Sequence, residues 1–210
     1  MITRARILKA LIFLTAIGAI AFTITYFTTK VPDPKEYINS QATIIQYSNG
    51  DEIGRIGAQN RTIIPLAKIP LDLRHAVLAA EDRNFYSQGA FSPLGMVRGA
   101  FNTLLGRGLQ GGSTITQQYA KTAFLTSQRT IQRKITELVI AIKLENQLSK
   151  DQIFENYLNS IYFGRGAYGV ETAAQTYFGV SADQLSIPQA AVIASILRSP
   201  GYYDPNYRKG

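Results

Sequence analysis

The 210-residue chain contains no cysteine, and this absence removes several classes of chemistry at once. Disulfide bonds, thiol nucleophiles and cysteine-ligated metal sites are all excluded. The single histidine, His75, falls inside a helical run, so we interpret it as a packing or surface residue rather than a catalyst. Acidic residues are also scarce: 14 Asp and Glu stand against 22 Lys and Arg, for a formal net charge of +8. Such a charge suits an anionic membrane surface or a phosphate-bearing substrate.

Residues 10–29 carry no charge, and a stretch of about twenty such residues is long enough to span a bilayer as a helix. Three cations, Arg4, Arg6 and Lys9, precede the stretch, and Lys30 alone directly follows it. This excess of positive charge predicts that the N-terminal side lies in the cytoplasm. A cleaved signal peptide is the alternative, although its apolar core is normally shorter and no small-x-small cleavage site precedes Lys30.

These features divide the chain into a cytoplasmic N-terminus at residues 1–9, a transmembrane helix at 10–29, a juxtamembrane linker at 30–40 and an extracytoplasmic domain at 41–210. Nucleic acid is the usual partner of a basic chain. We expect no such partner here, because the domain lies outside the cell and carries no nucleic-acid motif. Protein partners are not indicated by the sequence.

The extracytoplasmic part is predicted to be mainly α-helical after a short β-rich region. Asn49-Gly50 separates the β-rich runs Thr43–Tyr47 and Glu52–Ile56, which is a strong signal for a hairpin. The helices predicted after Pro70 are Leu71–Asp82, Pro93–Leu105, Thr114–Phe124, Thr130–Leu148, Lys150–Asn159, Ala167–Phe178 and Ile187–Leu197.

The stretch Gly111–Gln118 is the most informative local pattern. Its glycine pair frees the backbone, Ser113 or Thr114 can then cap a helix, and Gln117 follows Thr114 at the spacing of a capping box. The open N–H groups and positive dipole end of such a helix start suit an anion, especially a phosphate. Taken alone, however, an ordinary helix start is the simpler interpretation.

Two adjacent acids, Glu81 and Asp82, stand at the end of a predicted helix, where the helix dipole disfavours anions by about 0.3 to 1 kcal/mol. Such a departure from a local rule often marks a functional site. The alternative is a pair of solvated acids, or an ion pair with Arg83.

Arg129, Arg133 and Glu137 are spaced four residues apart, so they share one face of a predicted helix. Glu137 can relieve the repulsion of the two arginines by pairing with Arg133. The simpler interpretation is a salt-bridged solvent face. The functional interpretation is an electropositive wall for a diphosphate, joined by Lys121, because a guanidinium donates to two phosphate oxygens at once.

Four blocks in order along the chain resemble the motifs of the peptidoglycan glycosyltransferase family, whose domain begins the bifunctional penicillin-binding proteins. The matching residues are Glu81, Asp82 and Phe85 in the first motif, Gly111–Gln118 with Lys121 in the second, Arg133, Lys134 and Glu137 in the third, and Lys150, Ile153, Glu155, Tyr157, Leu158 and Asn159 in the fourth. The resemblance covers about residues 40 to 205.

The resemblance implies a mainly α, lysozyme-like domain with two lobes around a cleft, which polymerises lipid II into glycan strands. Its implied catalytic residues are Glu81, as the general base, and Glu137, which orients or supports the cations near the leaving group. Lys121 and Arg129 would stabilise the diphosphate leaving group, with help from Ser113. Weaker candidates for shaping the substrate site are Gln117, Gln118, Arg98, Arg133 and Lys134.

The implied chemistry requires no cofactor. A magnesium ion is compatible with a site beside the diphosphate, but Asp51, Asp72 and Asp183 show no metal-ligand spacing, so no dedicated metal site is expected. The expected partners are lipid II, the growing lipid-linked glycan strand and membrane lipid.

Two features depart from the family pattern. Gln88 replaces the histidine that is usual in the first motif, and the arginine-containing helix expected after Leu197–Pro200 is missing, so we expect a C-terminally incomplete domain. The residues also contain no Ser-x-x-Lys or Lys-Thr-Gly motif, and therefore no penicillin-reactive transpeptidase.

Three alternatives remain open. The apolar segment from Phe91 to Leu109, interleaved with Arg98 and Arg107, is either ordinary core or a surface at the membrane interface. A lysozyme-like glycan-cleaving enzyme also needs two carboxylates, although it does not need the cations. A membrane-anchored protein that binds lipid II without turnover is the third possibility.

Overall fold

The computed structural model describes residues 4–31, 43–48, 52–56, 62–105, 112–125 and 130–205. Within these ranges the chain is mainly α-helical, as predicted. The helices are α1 Arg4–Thr28, α2 Leu71–Glu81, α3 Pro93–Leu104, α4 Ile115–Phe124, α5 Ile131–Gln147, α6 Lys150–Ser160, α7 Val170–Phe178 and α8 Ile187–Arg198. Two short 3₁₀ turns, Leu66–Lys68 and Ala182–Gln184, complete the helical part. The two-lobed, lysozyme-like arrangement stays a prediction.

The two described strands are β1 at Thr43–Gln46 and β2 at Glu52–Ile56, and they pair antiparallel. Thr43 lies opposite Ile56, and the register shifts between Ile45 and Gln46. The predicted turn at Asn49-Gly50 lies outside the described residues, so the hairpin itself stays a prediction.

Polar side chains fix the helix starts. Thr114 caps α4: its hydroxyl accepts from the Gln117 backbone N–H, and the Gln117 side chain accepts from the Thr114 backbone N–H. This confirms the predicted capping box and selects Thr114 over Ser113 as the cap. Such a cap stabilises a helix by roughly 1 kcal/mol, and it also fixes where the helix begins.

Helix α7 begins at Val170, later than the predicted start at Ala167. Gly169 precedes it with a φ of +81°, a conformation that L side chains rarely adopt. A Cβ at this position would also lie 2.7 Å from the Asn159 carbonyl oxygen. The glycine therefore ends a turn at the point where the backbone passes close to α6.

The core is formed where helices distant in sequence pack together. Helix α4 packs against α5 and α6, and α2 packs against α8. Helix α4 contributes Ile115 and Tyr119 to this core, and α6 contributes Phe154 and Tyr157, each at most 1% exposed. Burial of this extent holds the end of α2 and the start of α4 in fixed positions.

Helix α1 contacts the rest of the chain at its C-terminal end, where it packs against α5. The Lys143 ammonium donates to the Thr29 carbonyl oxygen at 2.7 Å and lies 4.8 Å from the centre of the Tyr26 ring. Within the described part of the chain, no helix has both the length and the apolar character needed to cross a membrane. The transmembrane helix predicted at residues 10–29 is thus not shown.

Candidate active site

A cavity of about 390 Å³ lies between the end of α2, the first turns of α3 and the loop before α4. Three residues predicted for the site, Glu81, Arg98 and Ser113, line this cavity. Asp82 and Gln88 line it as well. The lining is mostly polar, which suits a charged or hydroxyl-rich substrate better than an apolar one.

Glu81 is the last residue of α2 and is half-buried at the cavity wall. Its Oε2 accepts a hydrogen bond of 2.9 Å from the Gln118 side-chain amide of α4. The Gln118 oxygen in turn accepts from the Tyr157 hydroxyl of α6 at 3.3 Å. Gln118 was predicted to shape the site, and it lies one hydrogen bond behind the carboxylate rather than at the cavity wall.

Asp82 caps the end of α2 and uses both of its oxygens within the protein. Its Oδ1 accepts from the Gln88 side-chain amide at 2.5 Å, and its Oδ2 accepts from the Ile115 backbone N–H at 3.1 Å. Burial raises the pKa of the Asp82 carboxyl above its ordinary value, and the hydrogen bonds from Ile115 and Gln88 oppose that rise. Asp82 therefore links the end of α2 to the start of α4.

This contact changes the interpretation of the α4 N-terminus as an open anion site. The Ile115 N–H donates to Asp82, and the Gln117 N–H donates to Thr114 Oγ1 at 3.2 Å. The anion at this helix start is thus the carboxylate of Asp82. The sequence pattern identified the helix start and the acid separately, but no local signal indicated that they meet.

Glu137 lies on α5 and is 2% exposed, with both oxygens held by cations. Its Oε2 is 3.4 Å from Arg133 Nη1, which confirms the predicted pair, and its Oε1 accepts from Lys134 Nζ. Lys134 Nζ also donates to Ser113 Oγ at 3.0 Å. A chain of polar contacts therefore joins Glu137 to the rim of the cavity.

Two further predicted site residues, Lys121 and Gln117, are absent from the lining of the described cavity. Lys121 is exposed in the last turn of α4. Gln117 is buried, because its oxygen completes the capping box, and among the described residues its amide nitrogen has no partner. Arg129 lies outside the described residues. Across the described ranges, no group of three or more side chains is arranged to hold a metal ion.

The fold and the cavity together describe a mainly helical domain with two carboxylates, Glu81 and Asp82, at the wall of a polar cleft and clustered cations behind its rim. Comparison with known proteins identifies the family to which this domain belongs. The sequence profile described as Transglycosylase matches residues 49–210, and the chain belongs to this family. The resemblance found in the four motifs is thereby confirmed.

Several relatives are proteins named penicillin-binding protein 1A. That of Mycobacterium tuberculosis is 44% identical over 192 residues, which covers 89% of this chain and 23% of the relative. That of Aquifex aeolicus is 44% identical over 195 residues, covering 91% and 27% respectively. That of Escherichia coli is 39% identical over 205 residues, covering 96% and 24%. The chain thus spans about a quarter of the length of these curated relatives.

Proposed function

We propose that this domain is a peptidoglycan glycosyltransferase that polymerises lipid II into glycan strands and releases undecaprenyl diphosphate. Membership of the transglycosylase family supports the reaction class. The observation that carries the proposal within the molecule is the Glu81 carboxylate, held at the wall of a polar cavity by a side-chain amide. The growing strand is the donor, and an incoming lipid II is the acceptor.

In the proposed reaction, Glu81 takes the proton from the acceptor sugar hydroxyl. The hydroxyl oxygen forms a bond to the anomeric carbon of the donor with inversion, and the bond to the diphosphate breaks with its electron pair leaving on the diphosphate. Gln118 engages Oε2 of Glu81, and in this proposal Oε1 is the oxygen that takes the proton. A carboxylate at this point contributes roughly a hundredfold to ten-thousandfold in rate, or about 3 to 5 kcal/mol.

Cations stabilise the charge that develops on the departing diphosphate. The family resemblance led us to expect this role for Lys121 and Arg129. The geometry gives closer support to Arg98, which lines the cavity, and to Lys134, which reaches its rim through Ser113. Glu137 supports this group because it holds Arg133 and Lys134 in place from a buried position.

A magnesium ion at the diphosphate fits this chemistry only as a companion of the substrate. Magnesium is usually held by one or two carboxylates together with phosphate oxygens and water. Of the carboxylates at the described cavity, Asp82 is already used by Gln88 and Ile115. The ion would supply charge neutralisation through the diphosphate oxygens, and the proposed steps require only the residues of this chain.

We further propose that the domain works at a membrane surface, on the outer side, with residues 1–9 in the cytoplasm and α1 as the anchor. The support is the uncharged stretch at residues 10–29 with cations before it, and exposed apolar side chains along α1 such as Ile12, Ile20 and Phe27. Helix α3 adds a second apolar surface, because Leu94, Val97, Phe101 and Leu105 are 78%, 67%, 59% and 49% exposed. The spacing of Leu94, Val97 and Phe101 places these three side chains on one face of α3, and Leu105 directly follows the helix.

The test is polymerisation of labelled lipid II by the purified 210-residue chain in detergent, with the products separated by size. Lengthened strands support the proposal. Shortened strands from added cell wall, without synthesis, support a glycan-cleaving enzyme, and binding without turnover supports a binding protein. Either of these outcomes overturns the proposed function.

Glu81→Gln tests the base itself. We expect turnover to fall roughly a hundredfold or more, because the amide cannot accept the proton. Melting should be nearly unchanged, because the substitution is nearly isosteric and the new carbonyl oxygen can still accept from Gln118. Asp183→Asn is the matched control, since Asp183 is exposed in a 3₁₀ turn outside the cavity. Wild-type turnover in Glu81→Gln removes Glu81 from the mechanism.

A further inference from the structure

We infer that Tyr157 is a positioning residue for Glu81 and acts through the side chain of Gln118. The inference rests on the proposed function, in which Glu81 is the base. The two hydrogen bonds join three helices, since Glu81 ends α2, Gln118 lies in α4 and Tyr157 lies in α6. Their separations of 37 and 39 residues along the chain show that the arrangement is a product of the tertiary fold.

The donor and acceptor groups fix the direction of both hydrogen bonds that link Glu81, Gln118 and Tyr157. An ionised carboxylate only accepts, so the amide nitrogen of Gln118 must face Glu81 Oε2. The amide oxygen then faces Tyr157, whose hydroxyl must donate to it. Reversal of the amide would place its oxygen against the carboxylate oxygen, so the carboxylate excludes that orientation, and the Tyr157 hydroxyl stabilises the remaining one by donating to the amide oxygen.

The surroundings of Tyr157 preserve this donor. The residue is 1% exposed, so its hydroxyl depends on a partner within the protein rather than on water. Burial raises the pKa of the Tyr157 hydroxyl well above its usual range, and the nearby charges of Glu81 and Asp82 act in the same direction. The phenol therefore stays protonated and continues to donate throughout the working pH range.

This arrangement gives Gln118 a different role from the one its motif suggested. Its amide is occupied at both ends by Glu81 and Tyr157. It engages Oε2 of a carboxylate that lines the cavity, and in the inferred role it thereby sets the orientation in which the base takes a proton. Loss of these two hydrogen bonds should impair proton transfer while leaving substrate binding intact.

Tyr157→Phe is the direct test, because it removes one oxygen and keeps the ring in the core. We expect kcat for lipid II polymerisation to fall about three- to tenfold with KM unchanged, as for the loss of one orienting hydrogen bond. Tyr177→Phe is the matched control, since it removes a part-buried hydroxyl that donates to the Phe163 carbonyl oxygen at 2.8 Å. The control should retain the wild-type kcat.

A double-mutant cycle separates positioning from simple packing. Gln118→Met removes both hydrogen bonds with little change in side-chain shape, and it should lower kcat without raising KM. In that background Tyr157→Phe should have no further effect on kcat, because the two residues act in series. Losses that multiply, or a rise in KM alone on Gln118→Met, overturn the inference.

The outcomes also separate this inference from the proposed function. If Tyr157→Phe does not fold, the Gln118→Met variant alone decides through its split between kcat and KM. A wild-type chain that forms no polymer overturns the proposed function and this inference with it. An active wild type, an inactive Glu81→Gln variant and an unimpaired Tyr157→Phe variant overturn the inference alone.

Discussion

Replacement of the exposed apolar face of α3 by serine should release the domain from membranes without unfolding it. Leu94, Val97 and Phe101 are 78%, 67% and 59% exposed, so together they present the equivalent of about two complete apolar side chains. At about 1.5 to 3 kcal/mol for each side chain removed from water, the upper value for their membrane contact is about 3 to 6 kcal/mol. The triple serine variant should therefore lose about two to four powers of ten in membrane partitioning.

The same exposures predict a small effect on folding. Surface substitutions usually change stability by less than about 0.5 kcal/mol each, whereas large-to-small changes in a core cost about 2 to 5 kcal/mol each. For a chain of this size, 1 kcal/mol corresponds to about 2 to 4 °C in melting temperature. The triple variant should thus melt within about 6 °C of the wild type.

Liposome sedimentation beside thermal melting measures both effects. A chain beginning at Val31 removes the contribution of α1, and anionic vesicles provide the surface that the positive charge favours. A matched control replaces Leu71 and Ile187, which are 60% and 66% exposed at the starts of α2 and α8, and should keep its association. Unchanged association of the α3 variant, or a collapse of its melting transition, refutes the membrane role of this face. The complete chain should stay bound in every variant if α1 anchors it.

Two further predictions concern the charges around the site. Lys121→Ala and Arg129→Ala should each lower the rate at saturation more than they weaken acceptor binding, because charge grows on the diphosphate only in the transition state; a change confined to acceptor affinity contradicts the assignment. Burial is the main reason that the pKa of Asp82 is raised in the folded chain. Its protonated form therefore stabilises the fold, fully so below the ordinary pKa of 3.8, and this contribution disappears as pH rises through the raised pKa. An asparagine cannot ionise, so the melting temperature of Asp82→Asn should rise relative to that of the wild type as pH increases from about 4 to 7, provided that Gln88 turns its amide to keep the hydrogen bond. A difference in melting temperature that stays constant with pH argues against this account.

Helix positions and capping were predictable because their causes are local. Six of the seven helix starts predicted after Pro70 lie within one residue of the observed ones. The pairing of Thr114 with Gln117, and of Arg133 with Glu137, followed from spacings of three and four residues. Such pairs lie on one helix face or across one helix end, so the sequence contains all the geometry that they need.

The internal connections of the site were not predictable in this way. Gln117 and Gln118 are neighbours in one motif, yet Gln117 is buried in the capping box whereas Gln118 reaches Glu81 and Tyr157. Successive residues on a helix point in different directions, and only the packing of α4 against α6 determines which neighbour meets which partner. Gln88 was noted as a departure from the family pattern, but its contact with Asp82 required the tertiary structure.

The paired acids at the end of α2 show how a locally unfavourable feature becomes useful. An anion at a helix C-terminus is disfavoured, but Asp82 also lies at the N-terminus of α4, where an anion is favoured and where the Ile115 N–H donates to it. The start of α4 therefore stabilises one acid of the pair and occupies both of its oxygens together with Gln88. Glu81 also lines the cavity, and among the described residues its side chain accepts a hydrogen bond through Oε2 alone, from Gln118. The two acids therefore differ in their contacts: Asp82 joins two helices, and Glu81 is the one to which we assign the proposed role of proton acceptor.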